Sequence, residues 1–287
     1  MAEPIKIAAR RGNTIESVHR VHAVAVRGAE VVAAAGDPDL VTFMRSAAKP
    51  LQAGPLARAR EDLDARDLAI ASASHRARDD QLAAVEALLA KATATEDDLE
   101  CGSFQGSKLK HNCSGKHAGM LALCRARGWG LAGYSQPEHP CQEEMFAEVA
   151  GASGLEAAAI PTAVDGCGVV TFAMPLRAMA AAFTRLDEMV ADAMRAHPDL
   201  IRGTGDPDTE LMKGHEGWTA KGGAEALLCA ASPDGLGVAL KVEDGNPRAI
   251  PPALGVFLDQ LGLGSDPFGP VELRNSRDDV VGELAHM

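Results

Sequence analysis

The sequence predicts an α+β fold in which an antiparallel sheet is assembled from N- and C-terminal segments, with a helical region inserted between them. Apolar segments separated by turn residues lie near both ends of the chain, whereas helical periodicity dominates the middle. The 287 residues are 46% hydrophobic and 24% charged, which suffices for one sizeable core and is too apolar for a disordered chain. The expected organisation is one unit over 1–287, sheet-rich over 1–75 and 210–287 and helical over 76–209.

The first strands come from alternation. Val21, Ala23 and Ala25 alternate with His22, Val24 and Val26; Gly28-Ala29 can turn the chain and Val31 to Ala35 can return it as a hairpin. A helix is expected from Ser46 past Leu51 and Leu56, with Pro50 in its first turn, where a missing N–H costs little. Leu68 to Ala73 reads as a short buried strand or tight segment. Asp79 to Ala92 reads as a helix with Leu82, Val85, Leu88 and Leu89 on one face. Thr95-Glu-Asp-Asp98 resembles another helix start. Further helices are expected over Lys116 to Arg127, ended by Gly128, over Gln142 to Val149, and over Leu176 to His197. Ala224 to Ala230 and Leu236 to Val242 read as strands around the turn Ser232-Pro-Asp-Gly235, and Ala253 to Leu261 as a closing helix.

Composition narrows the function. Forty acidic residues against 28 basic ones give a net charge of −12, a field that repels phosphate backbones, so nucleic acid is not an expected partner. No apolar run reaches the roughly 18–20 residues of a membrane span. The opening Met-Ala-Glu-Pro-Ile-Lys does not read as a signal peptide, so a cytoplasmic location is expected. The six cysteines, at 101, 113, 124, 141, 167 and 229, include no Cys-x-x-Cys pair and read first as buried, reduced thiols.

Five segments could carry chemistry. Ser46-Ala-Ala-Lys49 places an amine and a hydroxyl on one helix face, where a neutral lysine can take the serine proton. The spacing alone is weak: Ser107-Lys-Leu-Lys110 also matches, in a polar loop where it reads as accidental. Lys110 to Gly119 (Lys-His-Asn-Cys-Ser-Gly-Lys-His-Ala-Gly) is dense in donors and leads into a helix; its plainer reading is an N-capped helix start. Asp165-Gly-Cys-Gly168 holds a thiol in a glycine-rich turn. Ser72-Ala-Ser-His75 and Lys221-Gly-Gly-Ala-Glu225 complete the set, the latter placing a lysine at the mouth of a strand.

Taken in order, Arg45-Ser-Ala-Ala-Lys-Pro-Leu-Gln52, Ala73-Ser-His75, Cys101-Gly102, His111-Asn-Cys-Ser-Gly-Lys-His-Ala-Gly-Met120, Asp165 to Gly168, Lys221 to Glu225 and Gly237 to Gly245 resemble the asparaginase II family of rhizobial-type, zinc-containing L-asparaginases over about residues 15 to 262. The resemblance implies an αβα sandwich of the serine-β-lactamase/glutaminase-like kind, hydrolysis of L-asparagine to aspartate and ammonia, and a homodimer. It implies two Ser-Lys pairs, Ser46 with Lys49 and Ser74 with Lys221. Zinc would sit on Cys113, Lys116 and Cys167, and Arg45, His117, Asp165, Gly166 and Glu225 would line the substrate site. Ser46 is the favoured nucleophile and Ser74 its rival; Arg45 or a neighbouring cation is expected to meet the substrate carboxylate. A β-lactam-recognising serine hydrolase and a non-catalytic metal- or amino-acid-binding relative are the alternatives. The loop Arg76-Ala-Arg-Asp-Asp80 departs from the family's serine-glycine-glutamate pattern.

Overall fold

The computed structural model describes residues 2–287. It is an α+β fold with one large antiparallel sheet and one small one. Strand β1 (Ile5–Arg11) pairs with the N-terminal half of the long β2 (Thr14–Arg27), and β3 (Glu30–Ala35) pairs with its C-terminal half. Next come β4 (Val41–Phe43), a 3-10 turn at Arg45–Ala48, and helices α1 (Lys49–Ala59), α2 (Ala65–Ala71), α3 (Asp79–Lys91), α4 (Ser114–Arg127) and α5 (Pro140–Ser153). Strands β5 (Thr162–Val164) and β6 (Val170–Pro175) join β4 in the small sheet, in the order β4-β6-β5. Helices α6 (Leu176–Phe183), α7 (Glu188–Ala196), α8 (Pro198–Ile201) and α9 (Pro207–Gly214) lead to β7 (Thr219–Gly223), β8 (Leu227–Ala231) and β9 (Leu236–Val242). The chain closes with α10 (Ile250–Gln260), β10 (Val271–Arg274) and β11 (Val280–His286).

The large sheet runs β10-β11-β1-β2-β9-β8-β7, so the two ends of the chain meet in it as expected. Alternation divides its side chains between two cores. Val21, Ala23, Val238 and Leu240 face the core that includes α10, while Val24, Val26, Cys229 and Ala239 face the core that includes α6. Gly237 marks how closely α6 lies on β9: a Cβ there would stand 2.1 Å from the Ala180 carbonyl oxygen. At the far edge, β7 lies against the turn 45–48, and a Cβ on Gly223 would come within 2.7 Å of the Met44 carbonyl oxygen.

Four expectations change. The helix expected over Leu176 to His197 is two, α6 and α7, because Asp187 accepts the Met189 N–H and starts a new helix. Leu68 to Ala73 is not a strand: Asp64 and Asp67 form a reciprocal capping box that starts α2, and its residues Asp67 to Ala71 are buried. Burial all round removes the 3.6-residue pattern from which a helix is read. Helix α10 does not close the fold, because β10 and β11 extend the sheet beyond β1. Strand β8 starts at Leu227, since Glu225 and Ala226 adopt positive φ (59° and 53°) in the turn after β7.

The approach of α2 to α4 depends on two glycines. A Cβ on Gly115 would lie 2.2 Å from the Ile70 carbonyl oxygen, and one on Gly119 2.9 Å from the Ala71 Cβ. Gly151 in α5, by contrast, faces open space. Gly115→Ala should therefore cost about 1–3 kcal/mol through overpacking, whereas Gly151→Ala should stabilise by up to ~1 kcal/mol through helix propensity. Urea unfolding of both variants tests this; equal stability of the two would show that α2 can move away from α4 freely.

Candidate active site

Three lysines are buried in one region where the edge of the large sheet meets the helices. Lys49 and Lys221 are 0% exposed and Lys116 is 4% exposed. Each arrives on a different element. Lys49 opens α1 directly after the 3-10 turn, Lys116 lies in the first turn of α4, and Lys221 is the middle residue of edge strand β7.

The Lys49 amine reaches across to the segment after α2. Its Nζ donates to the Ala73 carbonyl oxygen at 2.5 Å and lies 3.0 Å from Ser74 Oγ. Burial lowers the Lys49 pKa; Cys113 opposes this and Lys116 adds to it. A neutral amine can donate to Ala73 and still offer its lone pair to the Ser74 hydroxyl proton. The segment is held on both sides: the Ser74 N–H donates to Ile201 O at 2.7 Å, and the His75 N–H to Asn112 O at 3.2 Å. The His75 ring fixes its own proton. Ser114 Oγ donates to Leu109 O (2.7 Å) and so must accept from His75 Nε2–H (2.8 Å), leaving His75 Nδ1 to accept the Ala77 N–H (3.1 Å). Burial, with Lys49 and His111 nearby, pushes His75 down to about 4.

Lys221 donates to Gly222 O at 2.8 Å and faces the Asp208 carboxylate at 3.5 Å. Burial takes its amine down to about 7, against the pull of Asp208 and with help from Lys49 and Arg202.

The third amine behaves in the opposite way. Lys116 Nζ lies 3.1 Å from Cys167 Sγ. Burial acts to lower its pKa, but Cys167, Cys113 and Asp165 outweigh burial and raise it. The two thiols share one charge. Cys113 is driven well below its ordinary range by Cys167, and by Lys49 and Lys116 against burial, while Cys113 pushes Cys167 up. Among the described residues, no three of His, Cys, Asp and Glu gather as a metal-holding group. The cluster here is two thiols and an amine, with a buried, unpartnered His117 Nε2 beside it. Soft sulfur with nitrogen suits zinc, and a dication can displace the thiol and ammonium protons.

A sequence profile of the L-asparaginase II family matches residues 7–286, nearly the whole chain. The chain belongs to the L-asparaginase II family. No individual curated protein matches it. Membership makes it an asparaginase-type amidohydrolase acting on a small molecule, and among the described residues no helix is long and apolar enough to cross a membrane.

In this L-asparaginase II chain the residues expected from sequence do not all pair as expected. Lys49 meets Ser74, and Lys221 meets Asp208 and Gly222 O. Ser46 is half-buried and its hydroxyl makes no hydrogen bond among the described residues, although the Lys49 N–H donates to Ser46 O. Arg45 already has one acidic partner: its Nε donates to Asp165 Oδ1 at 2.5 Å, beside Gly166, while its terminal nitrogens have no hydrogen-bond partner among the described residues. It holds a left-handed φ of 49°, with its N–H on Thr171 Oγ1, a conformation that costs a non-glycine residue about 1–3 kcal/mol. Asp165 stays below its ordinary range because Lys116 and Arg45 outweigh burial. Cys113, Lys116, His117 and Cys167 come together as expected. Glu225 stands apart, exposed in the turn after β7 with its carboxylate over Gly245. Sequence reasoning missed Asp208, which lies 13 residues before Lys221 and carries no motif, and Tyr134, whose hydroxyl is 2.7 Å from His117 Nδ1.

The depressed Lys221 has a measurable sign. Between about pH 7 and the ordinary lysine value near 10.4, the unfolded chain binds a proton that the folded chain does not. Stability therefore rises with pH across this window, by at most ~1.4 kcal/mol per pH unit for one group. Lys221→Met should flatten that rise in urea melts at pH 7, 8 and 9. An undiminished slope in the variant would mean that Lys221 stays protonated in the fold.

Proposed function

We propose that this protein is an L-asparaginase that hydrolyses the side-chain amide of L-asparagine through a serine activated by a buried lysine. The contact of Lys49 Nζ with Ser74 Oγ at 3.0 Å carries the reading. Ser74 also lines an open cavity of about 530 Å³ together with His75, Arg76, Lys110, His111 and Arg202, a volume within the usual range of ligand sites.

In this mechanism Lys49 takes the Ser74 proton as Oγ attacks the amide carbon. The C–N bond then breaks, the amide nitrogen takes a proton and leaves as ammonia, and the aspartyl ester on Ser74 remains. Water attacks that ester with Lys49 again accepting the proton, which releases aspartate and restores the serine. Lys221, near neutrality, is placed to exchange protons across the same region. Cys113, Lys116 and Cys167 would hold zinc, which when bound supplies a Lewis acid for a substrate oxygen. Arg45 and Asp165 tie the turn at Ser46 to the turn at Cys167 and so fix the distance between the two halves of the site. Six free cysteines are consistent with a reducing, cytoplasmic setting, and the family resemblance supports a homodimer.

One observation favours a second reading of the same chemistry. The unpaired, partly exposed Ser46 hydroxyl lies one turn before Lys49, so Ser46 could attack while Ser74 relays protons. Two measurements decide between them. Ammonia release from L-asparagine should fall about 10³-fold or more in Ser74→Ala and in Lys49→Met. Acid-quenched mass spectrometry should show an aspartyl group on Ser74; finding it on Ser46 transfers the attack to that residue. No ammonia from the intact protein at millimolar asparagine would remove the asparaginase reading.

Besides Arg45, the cations of the cavity are candidates to meet a substrate carboxylate. Arg76 is already bidentate to Asp206, at 2.6 and 2.5 Å. Lys110 has no ion-pair partner among the described residues. Lys110→Ala should raise KM several-fold with little change in kcat, and the difference should shrink at high salt. A lowered kcat at unchanged KM would instead place Lys110 in the chemical step.

A further inference from the structure

Tyr134 is the only tyrosine in the chain and is completely buried. Its loop is pinned by one residue. The Glu100 carboxylate accepts the N–H groups of Gly133 (2.6 Å) and Ser135 (3.1 Å) and the Ser135 hydroxyl (2.5 Å), on both sides of Tyr134. The Glu100 N–H itself donates to Tyr134 Oη at 2.9 Å. The phenol thus already accepts one hydrogen bond and retains one proton to donate. The acceptor in reach is His117 Nδ1, at 2.7 Å. Were Nδ1 to donate instead, the phenolic proton would be buried without an acceptor, at a cost of about 1–3 kcal/mol.

With Nδ1 accepting, the single proton of a neutral imidazole must sit on Nε2. Nε2 is buried and, among the described residues, has no hydrogen-bond partner. His117 follows Lys116 directly in α4, and the Lys116 Nζ lies 3.1 Å from Cys167 Sγ, so the ring stands beside the cluster. The two rings meet edge to face, with centroids 5.5 Å apart, so the imidazole has little freedom to turn.

We propose that Tyr134 is a positioning residue for the thiol cluster: it donates to His117 Nδ1, fixes His117 as the Nε2–H tautomer, and so leaves a buried, unpartnered N–H beside Lys116 as a donor for the cluster. With its proton on Nε2, His117 serves the cluster as a donor and not as a metal ligand, unlike the substrate-lining role that the family resemblance implied. A hydrogen bond to a metal-binding group from its outer shell commonly changes metal affinity 10- to 100-fold. The metal part of this inference rests on the zinc reading above.

Two experiments test it. Nitrogen-15 NMR of histidine-labelled wild-type protein, with His117 assigned by its loss in His117→Gln, should show a protonated Nε2 and an unprotonated Nδ1. Zinc competition against a chromophoric chelator should show Tyr134→Phe and His117→Leu binding about 10–100-fold more weakly. His117→Gln, which can place an N–H near the Nε2 position, should recover most of the loss. A protonated Nδ1 in the wild type overturns the proposal, even if Tyr134→Phe fails to fold. So does a Tyr134→Phe protein that binds zinc within about threefold of wild type. Should the wild type take up no zinc, the zinc reading fails by itself, and the tautomer measured on the metal-free protein decides the role of Tyr134.

Discussion

An amine taken out of water either loses its proton or must be given a negative neighbour. This fold buries three amines in one region, and the site is organised by which of them receives an anion. Lys116 has a pair of thiols sharing one charge and the Asp165 carboxylate, and it stays protonated. Lys221 has Asp208 at 3.5 Å and a weaker pull from Cys113, and burial prevails. Lys49 has a carbonyl and a hydroxyl as its hydrogen-bond partners, which suit a neutral amine as well as a charged one. One desolvation cost thus yields a cation suited to holding thiolates and two amines able to move protons. The mutual repulsion of Lys49, Lys116 and Lys221 sharpens the division.

The backbone architecture serves to bring these amines together. Strand β7 is the edge of the large sheet, so Lys221 projects beside the turn that carries Ser46 rather than beneath another strand. The bare faces of Gly115 and Gly119 let α2 lie directly on α4, which places Ser74 and His75 over the first turn of α4, where Cys113 and Lys116 stand. The strained Arg45 and its ion pair with Asp165 join the turn at Ser46 to the glycine-bracketed turn at Cys167. These are contacts between segments about 40 to 180 residues apart, and none is a local preference of the chain.

That difference explains what could be read from the sequence. The two-ended sheet, the hairpin of β2 and β3, and helices α3, α4 and α5 follow from alternation, periodicity and the terminal glycines, which act within a few residues. The chemistry-bearing segments were legible as motifs, and Cys113, Lys116 and Cys167 do converge. The partners were not legible. Ser-x-x-Lys spacing points to a pair along one helix, yet the 3-10 turn before α1 leaves Lys49 aimed at Ser74 on another segment. Asp208 could be found only from the packing of α9 against β7. Tyr134 carried a faint signal, as the only phenol in a chain poor in aromatics, but nothing local tied it to His117. Helix α2 was missed because burial on all sides leaves no periodicity, although its capping box, Asp64 and Asp67, is visible in the sequence.

The loop that departs from the family pattern fits the same logic. Arg76 grips Asp206 with two hydrogen bonds, and Arg202 reaches the same carboxylate at 3.2 Å. Asp206 stands at the N-terminus of α9, whose first turn carries Asp208. The Asp208 carboxylate accepts the Gly222 N–H at 2.9 Å and faces Lys221. The altered loop is therefore connected, through one acid and one helix start, to the carboxylate that most opposes the discharge of Lys221. A change at Arg76 would act on the site in two ways: directly, by altering the charge of the cavity wall, and indirectly, by loosening the helix that holds the counter-charge of a buried amine. This is a physical reason for Arg76 to be read with α9 and not with the substrate cavity alone.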